Sequence, residues 1–308
     1  MLCHLMNERI VRSGRYLKGK VLKPSMVERE QKMIDKTNWQ AIHDHVVAWV
    51  LEASAELRQA VKGHLNIHSK SSPNDLVTNM DKQIEQFFIH KVRTSYPNHQ
   101  IVSEEGFGDE VKTTKGVLWL IDPIDGTVNF VHQKRHFAIS VGIYEEGIGK
   151  VAVIYDVMSE DMYHCVAGQG VYMNDEKLDE LDSGELKTAL IAVNGKWLNK
   201  NIRIDPEIMR AIARHARGTR SYGTAAIELA YVACGILDGY VSMQLSPWDI
   251  GAGLILINEV GGKTTQVNGD PLKLLENNTI LIGRKGVHEE MLRYIQEGIE
   301  AGKYVQQK

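Results

Sequence analysis

Apolar residues recur at spacings of three and four from Trp39 to Val61 (Trp39, Ile42, Val46, Val50, Ala53, Leu57, Val61). That is one face of a long helix, which the pattern ends at Gly63. After the turn-rich HSKSSPND comes LVTNMDKQIEQFFIHKVRTSYP. Here Thr78 and Asp81 have the spacing of a capping box, and the helix they open should stop at Tyr96-Pro97. The rhythm then shortens. QIVSEEG reads as a short strand ending in acids, GVLWLID as a buried strand ending in Asp122, and residues 136–170 as apolar runs broken by glycine turns, an antiparallel meander. From about residue 185, strands (TALIAVN, TRSYG, DGYVSM, NTILIG) alternate with helices (DPEIMRAIARHA, TAAIELAYVACG, DIGAGLILINEVGG) before a last helix, VHEEMLRYIQEGIEAG. The pattern predicts a layered sandwich, a single catalytic domain over 37–308 with an α+β half to about residue 184 and an α/β half beyond.

Composition adds exclusions. With 43% hydrophobic residues, 24% charged residues and a net charge of −3, the 308-residue chain can bury a large core, and its charge gives no reason to expect nucleic acid as main partner. No apolar stretch suits a bilayer. Cys3, Cys165 and Cys234 are few, distant and without a CxxC, so neither disulfides nor a zinc-thiolate site is expected, and a cytoplasmic location is the default. The basic residues 1–36 read as a disordered N-terminal extension.

The chemistry concentrates where strands end. Asp122 and Asp125 leave a buried strand through DPIDGT. Pro123 lacks an N–H, so the strand is expected to stop there, freeing the Ile124 carbonyl to point with the two carboxylates. Three hard oxygens suit magnesium, and the N–H groups of Gly126 and Thr127 open a short helical turn able to hold a phosphate oxygen. Each piece also has a plainer reading. DPIDGT is rich in turn formers, the Glu104-Glu105 pair suits solvent, Asp81 suits a helix dipole, and Asp249 in PWDIGAG suits an N-cap with Trp248 in the core. His132, His136 and His164 have no partner at a telling spacing and read as structural or surface residues.

Taken together, DLVTNMDKQIE, VSEEG, LIDPIDGTVNF and PWDIGAG, in that order over roughly residues 37–290, resemble the inositol monophosphatase family of magnesium-dependent, lithium-sensitive phosphatases. The resemblance implies an αβαβα sandwich, usually dimeric. It implies that Glu104, Asp122 and the Ile124 carbonyl hold one magnesium. Asp122, Asp125 and Asp249 would hold a second, and Glu104 with mostly water a weak third. Asp81 and Thr127 would orient the attacking water, with Glu105 supporting the site. Asp125, Gly126 and Thr127 would meet the phosphate, and Gly223, Thr224 and Ala225 of YGTAA the organic part of the substrate. Metal ions ~3.5–4 Å apart neutralise phosphoryl oxygens and activate water, so direct attack by water is expected.

Two positions depart from the family pattern. Ser103 stands where glycine often precedes the acidic pair, which should change local backbone freedom without removing a ligand. Ser242 stands seven residues before Asp249, where some inositol-selective members carry a glutamate that bonds inositol hydroxyls. The expected substrate is therefore inositol monophosphate or a similar small polyol phosphate. Fructose 1,6-bisphosphate, NADP and a nucleotide 3′-phosphate remain as alternatives, with Lys196, Arg217 and Arg220 as candidates to meet a second phosphate. An RNA-associated regulatory role is the alternative from a different class.

Overall fold

The structure is a computed structural model that describes residues 37–63, 67–69 and 76–306. The extension expected over 1–36 lies outside the described residues. Helices α1 (Trp39–Ala60) and α2 (Asn79–Ser95) form the first layer, joined through a short antiparallel hairpin, β1 (Ile67–Ser69) and β2 (Leu76–Thr78). The predicted capping box is present: Thr78 N–H donates to Asp81 Oδ2 at 2.7 Å, and Tyr96 caps the far end before Pro97.

The second layer is a seven-stranded sheet in sequence order: β3 (Gln100–Ser103), β4 (Val117–Asp125), β5 (Ala138–Glu145), β6 (Ile148–Asp156), β7 (Asp161–Val166), β8 (Val171–Met173) and β9 (Glu176–Lys177). The β3–β4 pair is parallel and the others antiparallel, the expected meander. Strict alternation divides its core. Trp119, Ile121, Ile139, Val141, Val151 and Val153 pack with Val46, Val50, Ile84 and Phe88 of the first layer, whereas Leu118, Leu120, Ala152 and Ile154 face the other way.

That other face carries α5 (Ala225–Ala233) and α6 (Pro247–Glu259), which are largely apolar because sheets cover both their sides. The approach of α6 is close. A Cβ on Gly142 of β5 would sit 2.6 Å from the Gly251 carbonyl carbon, and the Tyr144 hydroxyl donates to the Gly251 carbonyl at 2.6 Å. Beyond lies a five-stranded sheet in the order β11 (Gly218–Arg220), β10 (Leu190–Val193), β12 (Gly239–Leu245), β14 (Asn278–Gly283), β13 (Lys263–Thr265). Its outer face packs through Ile191, Val241 and Leu281 against α4 (Pro206–His215) and α7 (Lys285–Glu300). The result is the αβαβα sandwich. Among the described residues, no helix is long and apolar enough to cross a membrane.

Three expectations change. The strand before the DPIDGT turn does not stop at Pro123: β4 re-pairs at Asp125 with Ala138. Trp248 is half-buried rather than core. Asp249 is the third residue of α6, not its N-cap; Ser246 is the cap, and its N–H donates to Asp249 Oδ2 at 2.7 Å.

Candidate active site

Asp122 and Asp125 are three apart, which in a regular strand puts them on opposite faces. They share a face because β4 carries a bulge: Asp122 pairs with Ser140 and Asp125 with Ala138, three steps on one strand against two on the other. The same extra residue returns Ile124 to the cluster of Trp119 and Ile121. Pro123, with no N–H to give the ladder, sits inside the irregular stretch. Parallel pairing then supplies the next acid. Ser103 lies opposite Ile121, so Glu104 emerges beside Asp122.

The acids meet at this end of the sheet. Asp122 is buried, and its carboxyl is held well above the usual range by burial and by the charges of Glu104, Asp125 and Asp249; the Ile124 N–H, donated to Oδ1 at 3.0 Å, favours the ionised form. Asp125 is also raised by burial, while the Thr224 hydroxyl and the Ala226 N–H (2.5 Å), both at the N-terminus of α5, donate to its Oδ2. Thr224 and Ala225, expected to meet substrate, thus also position Asp125.

Asp81 is fully buried, its carboxyl raised by burial and partly restored by its bonds from Thr78 and Thr127. Its Oδ2 serves the capping box, and its Oδ1 accepts from the Thr127 hydroxyl at 3.0 Å. Thr127 begins a short helix, α3 (Thr127–His132), whose N-cap Gly126 has φ +92°, and the Thr127 hydroxyl also lies 3.2 Å from the Ile124 carbonyl. A side chain on Gly126 would press within 3.2 Å of the His136 carbonyl and Thr224 Cβ.

Sequence reasoning missed Glu85. One helical turn beyond Asp81, it is fully buried and accepts from the Ser103 hydroxyl (2.7 Å), the Glu105 N–H (2.6 Å) and the Phe107 N–H (2.9 Å). It shapes the turn that presents Glu104 and explains Ser103, whose hydroxyl is a partner rather than a change in backbone freedom. The (i, i+4) spacing of Asp81 and Glu85 was the available signal. His164 has a partner after all: its Nδ1 lies 2.8 Å from Nε2 of His43, 121 residues away, far from the acids' motifs in the chain. Cys165 and Cys234 are free thiols, both pushed up to about 12 by burial.

A cavity of about 170 Å³ adjoins the acids, its lining including Asp125, Asp249, Lys196, Glu228, Tyr240 and Ser242. Lys196 thus reaches it, whereas Arg217 and Arg220 are exposed, the latter donating to the Thr219 carbonyl.

Among the described residues, no group of three or more His, Cys, Asp and Glu side chains is set to hold an ion as it stands. The donor set nonetheless fits hard divalent cations. A buried Asp122 ringed by three further acids is electrostatically unfavourable alone, and its neighbours are all oxygen donors.

A layered sandwich that brings strand-end carboxylates together beside a polar pocket is the build of a metal-dependent phosphomonoesterase. A model of the inositol monophosphatase family matches residues 38–300. The chain is 48% identical to the inositol-1-monophosphatase of Bacillus subtilis, over 82% of this chain and 96% of the relative. The inositol monophosphate-bound structure of SaIMPase-II superposes with TM-score 0.76 at 36% identity, covering 85% of this chain and 96% of that one. An IMPase/NADP phosphatase complexed with Mg2+ and phosphate superposes with TM-score 0.78 at 27% identity, covering 84% and 96%. The chain belongs to the inositol monophosphatase family and is a phosphoric monoester hydrolase; solved relatives carry magnesium and calcium.

Proposed function

We propose that this chain hydrolyses inositol monophosphate, or a similar small polyol phosphate, by direct attack of water on phosphorus. The observation that carries the reading is Asp122, buried among Glu104, Asp125 and Asp249 beside a polar cavity. Glu104, Asp122, the Ile124 carbonyl, Asp125 and Asp249 would hold two to three magnesium ions, with Glu105 supporting the turn. When bound, the ions neutralise the phosphoryl oxygens, polarise the attacking water and stabilise the leaving alkoxide. Backbone N–H groups of Gly126 and Thr127 meet the phosphate. The Thr127 hydroxyl, bonded to Asp81 Oδ1, orients the attacking water, takes its proton and passes its own to Asp81 Oδ1 as the water oxygen bonds phosphorus; the phosphorus–alkoxide bond breaks, and the alkoxide leaves protonated by solvent. Gly223, Thr224 and Ala225 border the organic part of the substrate. A cytoplasmic, lithium-sensitive homodimer is the form the family resemblance supports.

The test is kcat/KM at fixed magnesium for inositol 1-phosphate, fructose 1,6-bisphosphate, NADP and adenosine 3′,5′-bisphosphate, each with and without lithium. A clear preference for inositol 1-phosphate, inhibited by lithium, is expected. Equal kcat/KM across the four would contradict the substrate assignment.

A further inference from the structure

Glu228 lies outside the residues proposed above to hold metal or to act on the water, yet it is a buried acid at the wall of the cavity, 4% exposed. It projects from α5 toward Tyr240 and Ser242, two residues apart on β12 and so on one face of that strand. Its Oε1 accepts from the Tyr222 N–H at 2.7 Å. The Tyr240 phenol and the Gly223 N–H also face the carboxyl.

Resting on the phosphatase reading, we propose that Glu228 is the specificity-determining residue of this pocket: its carboxyl bonds the ring hydroxyls of a polyol monophosphate, with Tyr240 and Ser242 beside it, and disfavours substrates bearing a second anion there.

Three observations converge on this. A carboxyl has two oxygens and about four acceptor sites; the Tyr222, Tyr240 and Gly223 donors take three of them, which leaves room for a hydroxyl donor from substrate. Burial and the Asp125 charge push Glu228 up to about 7, so both the acceptor and the donor form are accessible to a hydroxyl, which can match either. The cation lining the cavity is engaged elsewhere: Lys196 Nζ lies 4.4 Å from the centre of the Trp197 ring, and its pKa is lowered by burial and by Arg203. A second phosphate would therefore meet an acid more readily than a free ammonium. A purely structural role is less demanding, because the Tyr222–Gly223 loop has another anchor in Asn129, whose Nδ2 donates to the Tyr222 carbonyl at 2.7 Å.

The experiment measures kcat/KM of wild type, Glu228→Gln and Tyr240→Phe on inositol 1-phosphate and on p-nitrophenyl phosphate, which has no ring hydroxyls, at saturating magnesium. Glutamine can still accept from the Tyr222 N–H, so the loop is preserved. The ratio of the two kcat/KM values should fall about tenfold in Glu228→Gln, the size of one hydrogen bond to a charged group, chiefly through KM for inositol 1-phosphate. Tyr240→Phe should lower the ratio in the same direction by about threefold, within the range of a neutral hydrogen bond. An unchanged ratio, whether both activities fall together or neither does, overturns the proposal. A wild type inactive on both substrates would instead overturn the phosphatase reading on which it rests.

Discussion

The Thr127 hydroxyl donates to Asp81 Oδ1 at 3.0 Å, joining two buried side chains 46 residues apart. The two oxygens of Asp81 divide the work, since Oδ2 completes the cap of α2 and Oδ1 reaches the strand end that carries the other acids. The cap of α2 and the role proposed for this aspartate at the site thus call on different atoms. Thr127→Val keeps the shape and removes the hydroxyl. It should lower kcat by about 10²-fold or more, with Thr127→Ser restoring most of it, if the pair orients water. Steady-state kinetics of the two variants decide; equal kcat in Thr127→Val and wild type would contradict the role.

Glu85 binds no reacting atom but holds the turn that carries Glu104 through the Ser103, Glu105 and Phe107 donors. Glu85→Gln cannot accept on both sides of that turn. The magnesium concentration for half-maximal activity should rise at least about tenfold, as for other residues that orient ligands, while kcat at saturating magnesium is largely kept. An unaltered magnesium dependence would show that the turn holds without it.

Burial raises the carboxyl pKa values of Asp81, Asp122 and Asp125, and pushes Glu228 up to about 7. With a folded pKa above the unfolded value, the native chain binds more protons in that window, so stability falls as pH rises through it. For Glu228 the window runs from 4.5 to about 7: its contribution is present below and lost above. Thermal unfolding of metal-free protein should therefore show a steeper fall in Tm across that range in wild type than in Glu228→Gln. Parallel curves would mean that Glu228 does not titrate there.

Much of this was legible along the chain, and what was not has identifiable causes. The apolar spacing of α1 and the capping box of α2 are local, and both lie where the pattern put them. The shared face of Asp122 and Asp125 depends on a register shift that only the pairing with β5 reveals. Glu85 and Glu228 look like solvent-facing helix acids in sequence, because their partners lie on other segments, such as the Ser103–Phe107 turn and β12. Trp248 misled through its size: position in the first turn of α6, at the rim of the layer, leaves it half-buried.

The central claim is that Asp122 is tolerable among Glu104, Asp125 and Asp249 because it shares cations with them. Manganese binding to EDTA-treated protein, counted by electron paramagnetic resonance in wild type and Asp122→Asn, tests it most directly. The account predicts two to three ions in wild type and the loss of at least one in the variant, whose metal-free Tm should be unchanged or a few degrees higher, about what relief of 1 kcal/mol of repulsion gives. Wild-type stoichiometry and affinity in Asp122→Asn would contradict it.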